Sequence, residues 1–311
     1  MKIMITGGAG FIGSHLCDEF VRTNNQVIVI TRSTTSLDRI SHLKDKITLE
    51  RADVTDYDVL GRIIAKHSPE VIIHLAGETS HSKSFENPLY DLDVNTKSTL
   101  YILEKIKQLN LKCRFILGST FIVIGRPQEL PVTEQSVCNP TTIYGANRLA
   151  SEVYCKIYHN VYGIDTITFR ITNSFGPREQ FIPSKNAINF LIHKAFKKEL
   201  IPIFDKGNFF KDVVYVSDVV SAISTIMEKG RPGDLYWISS GNKTWFYDLG
   251  TWLEELTGTK VQYVESPQYT KKTDVGNFVV DNSKLKSLGW SIQTPVKDGI
   301  KKTLDYFAKL G

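Results

Sequence analysis

Tyr144 and Arg148 lie four residues apart in the stretch TIYGANRLASE, about one helical turn. A phenol beside a cation is a proton-transfer device: phenols ionise near ~10 in water, and positive charge close by favours the anion. Lysine is the cation such a device usually employs. Arginine supplies the field but does not give up its proton, because guanidinium has a pKa above ~12. The pair therefore keeps the electrostatic half of the device. Any step in which the cation hands a proton onward is impaired. Three readings stay open: Tyr144 exchanges its proton through neighbouring hydroxyls and water, turnover is slow, or the site binds without turnover.

A second group of residues suits phosphate. ITGGAGFIGSHL places Gly7, Gly10 and Gly13 at three-residue spacing, after a predicted strand and at the start of a predicted helix. In that context the glycines allow a tight turn, close approach of the backbone to a pyrophosphate and close helix–strand packing. The helix N-terminus then presents free N–H groups and the positive end of its dipole. The next predicted strand, VIVI, runs into Thr31-Arg32-Ser33-Thr34 with no carboxylate for a ribose 2′-hydroxyl. A guanidinium flanked by hydroxyls suits a 2′-phosphate, so Arg32 points to NADP, with NAD open if Arg32 is a solvated surface side chain. Asp53, in RADVTD, is placed either to bond the adenine edge or to cap the following helix.

Positioning these groups requires strands alternating with helices. Apolar runs predict strands at Lys2–Ile5, Gln26–Ile30, Ile47–Glu50, Val71–His74, Arg114–Leu117 and Thr166–Arg170. Helical spacing predicts helices near 12–22, 56–66, 96–109 and 146–160. In the last, Ala146, Leu149, Ala150, Val153 and Ile157 share one face. Such alternation means a parallel sheet covered on both sides, a Rossmann-type doubly wound α/β fold with a smaller C-terminal substrate-binding lobe. After about residue 173, Pro177, Pro183, Pro202, Gly207 and Pro232 cut the pattern into shorter pieces. Sheet-like material returns at 212–227 and at Leu235–Ser239. The expected dinucleotide-binding domain is thus 1–173 plus about 212–239, and the lobe 174–211 plus 240–311.

Composition narrows the classes. The 311 residues carry a net charge of +5 with no long basic run, so nucleic acid is not the expected partner, while an anionic small substrate fits. Cys17, Cys113, Cys138 and Cys155 form no CxxC pair and have no histidine at zinc-ligand spacing. They read as free thiols in a reducing compartment, and no metal is expected. No apolar run approaches the ~18 residues of a membrane span, and a strand and glycine turn begin at once, leaving no room for a signal peptide. The expected location is the cytoplasm.

TGGAGFIGSHL, DVTD, HLAG, SFENPLYDLDVN, YGANR and FRITNSFGPR follow one another as in the extended short-chain dehydrogenase/reductases. FKDVVYVSDVV, LYWISSGN and DNSKLKSLGW also resemble landmarks of that family, and the resemblance is to its nucleotide-sugar epimerases and dehydratases. The resemblance implies an NAD(P)-dependent enzyme acting on a nucleotide-diphosphate sugar, with Thr120 and Tyr144 as catalytic hydroxyls and Arg148 where lysine is usual. Cofactor contacts would come from Gly7, Gly10, Phe11, Ile12, Gly13, Arg32, Asp53, Val54, Leu75, Ala76, Gly77, Tyr144 and Arg148. Substrate contacts would come from Thr79, Lys83, Ser84, Asn95, Ser119, Asn173 and Lys211, the last replacing the usual arginine. Family 4,6-dehydratases carry an Asp–Glu pair where this chain has Phe121 and Ile122. Neither can transfer a proton, so 4-epimerisation or net redox at C4, as by a 4-keto reductase, is expected in place of dehydration. The resemblance further implies a homodimer, through the helices near 96–109 and 146–160, and a place in surface-polysaccharide or secondary-metabolite sugar synthesis. The rival class is a cofactor-binding regulator or scaffold in which Arg148 marks lost catalysis. A dehydrogenase of smaller, non-sugar substrates is a third option. His74 reads as a packed strand-end residue, and Trp237, Trp245, Phe246 and Trp252 as lobe core.

Overall fold

The computed structural model describes residues 1–179, 187–267 and 273–310. Pro183 lies outside these residues. The N-terminal half alternates as expected. In chain order it contains β1 (Lys2–Thr6), α1 (Phe11–Arg22), β2 (Gln26–Thr31), β3 (Ile47–Arg51), α2 (Tyr57–His67), β4 (Val71–His74), α3 (His81–Glu86) and α4 (Pro88–Leu92). A π-helical turn, Asp93–Lys97, leads into α5 (Ser98–Gln108), followed by β5 (Arg114–Thr120), α6 (Ile143–Tyr162) and β6 (Thr166–Ile171).

The six strands and a seventh, Leu235–Ile238, form one all-parallel sheet. The late strand lies outside β6, and the order continues β5, β4, β1, β2, β3. The winding reverses between β1 and β4. A crevice therefore opens beyond the carboxyl ends of those strands.

Successive strand residues point to opposite faces, and both faces are covered. Ile3, Ile5, Val27 and Val29 pack under α1, together with Ile223 and Ile226 of the helix Val216–Lys229. Met4, Ile28, Ile30 and Ile72 pack under α2, α5 and α6, against Leu60, Ile102, Leu103 and Cys155. Burying each such aliphatic side chain contributes about 1.5–3 kcal/mol.

Two boundaries matter for the site. β5 runs three residues beyond its expected end, because Gly118, Ser119 and Thr120 keep pairing with Phe169, Arg170 and Ile171. Helix α6 starts at Ile143, three residues early, because the Thr142 hydroxyl accepts from the Gly145 N–H at 3.0 Å and caps it. Tyr144 and Arg148 thus sit in its first two turns. Its buried side carries Tyr144, Asn147, Arg148, Ser151, Cys155 and Tyr158, while Val153 and Ile157 face outward.

The segment 212–227 departs from its sheet-like expectation. Only Val213–Tyr215 is extended, and Val216–Lys229 is helical. Val216, Val219, Val220, Ile223, Ile226 and Met227 recur at helical spacing and all are buried against α1 and the sheet. Packing of that stripe outweighs the β-propensity of the valines.

The remaining described chain gathers around Phe175, Ile188, Leu191, Ile203, Val213, Phe246, Leu249 and Ile300. Leu285 and Trp290 instead join the core beneath α1. Trp237 is fully enclosed beside Tyr144 and Phe278. All four cysteines are free thiols. Among the described residues no helix is long and apolar enough to cross a membrane, and no group of His, Cys, Asp and Glu could hold a metal ion.

Candidate active site

A cavity of about 1310 Å³ occupies the crevice at the sheet's carboxyl edge and extends against the smaller lobe. That space is larger than the ~300–1,000 Å³ of an ordinary small-molecule pocket, enough for two ligands end to end. Every expected cofactor residue lines it: the glycine turn with Phe11 and Ile12, then Arg32, Asp53 and Val54, then Leu75 to Gly77, then Tyr144 and Arg148.

The glycines are where side chains would not fit. Gly7 has φ +73°, and a Cβ there would lie 3.0 Å from the Ala76 nitrogen. A Cβ on Gly13 would lie 2.4 Å from the Gly7 carbonyl oxygen. The turn is therefore a bare backbone cradle at the N-terminus of α1, whose Gly10 cap uses no side chain. A phosphate group fits such a cradle.

At the far end of this region Arg32 donates to the Tyr90 hydroxyl at 3.0 Å. Arg51 Nη1 donates to the carbonyls of Arg32 and Thr35 at 2.7 and 3.0 Å, fixing the loop. Thr35 and Arg39 also line the cavity here. Asp53 does not cap α2, contrary to one of its two readings. Its Oδ1 accepts from the Thr55 N–H and hydroxyl at 2.9 and 2.8 Å, and Asp56 caps the helix.

The reactive-type groups converge on one wall. Thr120 and Tyr144 are nearly enclosed yet face the cavity. Thr120 Oγ1 accepts from the Ile122 N–H at 3.3 Å, which leaves its own proton to donate. The Arg148 guanidinium carbon lies 5.9 Å from the centre of the Tyr144 ring. Arg148 is 2% exposed, donates through Nη2 to the Ala76 carbonyl at 3.3 Å, and has no partner at Nε and Nη1. Unmade bonds on a buried charge are costly. Two orphaned nitrogens on a cavity-lining cation fit an oxygen-bearing ligand such as a ribose, so the cradle and this cation together fit a nicotinamide dinucleotide.

Behind the wall, Ser119 Oγ donates to Glu152 at 2.5 Å, and Glu152 pairs with Arg170 at 2.7 Å. His74 is fully buried: Thr6 Oγ1 lies 2.7 Å from Nδ1 and Ser98 Oγ 3.1 Å from Nε2. Since the Ala76 N–H donates to Thr6 Oγ1 and Ser98 Oγ donates to the Val94 carbonyl, the proton of His74 belongs on Nε2. Burial, and secondarily the Arg148 charge, push His74 down to about 3. It is a neutral packing residue, as its position suggested.

Of the expected substrate residues, Thr79, Ser119, Asn173 and Lys211 line the cavity. Lys83, Ser84 and Asn95 do not. Ser84 is fully enclosed, Lys83 is largely solvated 3.6 Å from Glu78, and Asn95 lies behind Gly77 with Nδ2 donating to the Glu78 carbonyl. The lining hydroxyl of that turn is Ser82, one residue away. Lys211 Nζ is bound to Asp274 Oδ1 and the Gly276 carbonyl, both at 2.6 Å, and burial lowers its pKa against the pull of Asp274. Asp274, Glu78, Asp205, Arg126 and the packed, mutually tilted rings of Phe209 and Phe246 also line the cavity. Sequence spacing offered no signal for Asp274, which meets Lys211 across 63 positions.

A family model described as GDP-mannose 4,6 dehydratase matches residues 4–303. A putative UDP-glucose 4-epimerase of Methanocaldococcus jannaschii is 32% identical over 304 residues, covering 98% of this chain and 97% of that protein. The dTDP-glucose 4,6-dehydratase 1 of Escherichia coli is 28% identical over 337 residues, covering 99% and 92%. The structure of a Thermotoga maritima UDP-glucose 4-epimerase, solved with UDP-glucose, has a TM-score of 0.92 at 30% identity, covering 100% of this chain and 99% of that one. With the glycine cradle, the cavity and these similarities in hand, the chain belongs to the extended short-chain dehydrogenase/reductases, in the family of NAD-dependent nucleotide-sugar epimerases and dehydratases.

Proposed function

We propose that the enzyme acts at C4 of a nucleotide-diphosphate sugar by hydride transfer, without dehydration, and that 4-epimerisation is the net reaction. One observation carries this reading: Thr120, Tyr144 and Arg148 share a cavity wall with Phe121 and Ile122, two side chains that cannot move a proton. Elimination of water needs an acid and a base beside the departing hydroxyl. The similarity, at 30% identity, to the Thermotoga maritima UDP-glucose 4-epimerase supports the same choice.

In this mechanism the Tyr144 oxygen takes the proton of the sugar hydroxyl and later returns it. Thr120 donates a hydrogen bond to the same sugar oxygen and holds it against the phenol. Arg148 supplies a charge that pH does not remove, and its free N–H groups bind the cofactor's ribose. A nicotinamide held by the glycine turn and Arg148 would supply the site that takes up and returns the hydride. Lys211 and Asn173 hold the substrate's diphosphate.

Releasing the bound cofactor by denaturation tests the net reaction. Cofactor that stays bound through turnover, with conversion of a UDP-sugar to its C4 epimer, is the expected result. Stoichiometric consumption of free reduced cofactor would point to a 4-keto reductase instead. A 4-keto-6-deoxy product would overturn the reading.

We further propose that the cofactor is NADP. Arg32, Thr35 and Arg39 line the adenosine end, and no carboxylate stands at the end of β2. Replacing Arg32 with Asp should raise Kd for NADP at least ~10-fold relative to NAD, because the change removes a charge-assisted bond and adds repulsion. An unchanged ratio in titrations would sink the assignment. A homodimer pairing α5 and α6 across its axis fits the outward-facing Val153, Ile157 and Val161 of α6. Sedimentation should give twice the 35.2 kDa chain mass, and a monomer at micromolar concentration would refute it.

A further inference from the structure

We propose that Gly77 is a positioning residue for Arg148, because the guanidinium occupies the space that a side chain at 77 would need. A methyl group on Gly77 would lie 2.0 Å from Arg148 Nη2, 3.1 Å from its Cζ and 2.5 Å from Asn95 Oδ1. Carbon atoms in contact prefer about 3.5–4.0 Å. The backbone gives no separate reason for glycine, since Gly77 is not among the glycines with positive φ. The requirement is steric and comes from the neighbouring side chains.

The tip of an exposed arginine would move aside at little cost. This one is enclosed. Arg148 is 2% exposed and held by the Ala76 carbonyl, and Asn95 is fully buried and held by the Glu78 carbonyl. Ala76 and Glu78 are the residues on either side of Gly77. Both intruding side chains are therefore anchored to the backbone that an alanine methyl would crowd. Relief would come from displacing the guanidinium from the place in which it stands 5.9 Å from the Tyr144 ring centre.

A lysine at 148 ends in a single ammonium with no branched head. It would leave the Nη2 volume vacant and so remove the closest contact of an alanine at 77, leaving only Asn95 Oδ1, which makes no hydrogen bond of its own, to give way. The need for glycine is thus strictest beside arginine. This inference rests on Arg148 binding the cofactor, as proposed above, and adds that residue 77 selects which cation can do so.

The test is a double-mutant cycle of native protein, Gly77→Ala, Arg148→Lys and the double variant. Each is titrated with whichever of NADPH or NADH the native protein binds more tightly, and its turnover and melting temperature are recorded. Expected is a loss of cofactor affinity of at least ~10-fold for Gly77→Ala beside Arg148, but less than ~2-fold beside lysine, the size of coupling typical of residues in contact. Equal losses in both backgrounds would overturn the pairing, and so would no loss in either. If Gly77→Ala alone does not fold, recovery of a cooperative melt in the double variant upholds the pairing and its absence overturns it. Coupling in affinity without sugar turnover in any variant would reject the proposed reaction while the pairing stands. Turnover without coupling would do the reverse.

Discussion

Replacing Tyr144 with phenylalanine is expected to lower kcat at least ~100-fold, within the range by which a positioned acid–base group accelerates proton transfer. Such a loss corresponds to ~2.7 kcal/mol of transition-state stabilisation. The change removes one oxygen and keeps the ring. That ring is 6% exposed and packs with Ile122, Val123, Trp237 and Phe278. Melting temperature should therefore stay close to native, and cofactor affinity should change less than ~3-fold, because a near-isosteric change that keeps the ring packed costs little. The separation of readouts makes the test specific. A phenol that only packs would give no kinetic loss, and a phenol that only binds would raise KM with kcat unchanged. Either outcome would remove Tyr144 from the chemistry. The rate remaining in the variant reports what Thr120, Arg148 and substrate positioning achieve without the phenol.

How much of this was legible in the sequence follows from what kind of interaction decides each element. The inner strands β1, β2, β4, β5 and β6 are buried on both faces, so apolar runs marked them directly, while the edge strand β3 is half exposed. Their ends were less legible. Ser119 and Thr120 are polar and still belong to β5, because the neighbouring strand continues to offer partners. The glycine turn was legible because much of its reason is local: Gly7 has a positive φ, and a Cβ on Gly13 would collide with Gly7 and Gly8 of the same loop. The helix Val216–Lys229 was misread because valine and isoleucine favour strands locally, while the burial that decides the matter comes from α1 and the sheet, distant in sequence. One-residue errors in the turn after β4 have a similar origin. Which of Ser82, Lys83 and Ser84 faces the cavity depends on the short helix α3 and its Ser80 cap, and motif resemblance does not resolve a 100° rotation per residue. The Lys211–Asp274 and Arg148–Gly77 relations arise from tertiary approach alone.

The second large effect concerns the ion pair behind the catalytic wall. Glu152 sits on α6, two turns beyond Tyr144, and its carboxylate meets Arg170 of β6 through bonds of 3.0, 3.2 and 2.7 Å. The two side chains are 9% and 4% exposed. The arginine stacks 5.4 Å from the Trp237 ring and leaves Nη1 without a partner. A pair this deep adds little net stability compared with apolar residues of the same shape, but removing one partner strands a charge. Glu152→Ala should therefore destabilise the protein by about 3–5 kcal/mol, a large share of the ~5–15 kcal/mol that holds a typical domain folded. The melting temperature should drop on the order of 10 °C. Arg170→Met combined with Glu152→Met should cost clearly less than Glu152→Ala alone, since no buried charge is then left behind. The pair also reaches the site: Ser119 Oγ gives its proton to the same carboxylate, and Thr120 is the next residue. Without Glu152, the carboxyl end of β5 loses its tie to α6, the helix that carries Tyr144 and Arg148. A fall in kcat should therefore accompany the lost stability even below the melting transition, and the Glu152→Met, Arg170→Met protein should regain stability more fully than activity. Full recovery of both would mean that the ion pair supports the fold and leaves the geometry of the two hydroxyls to other contacts.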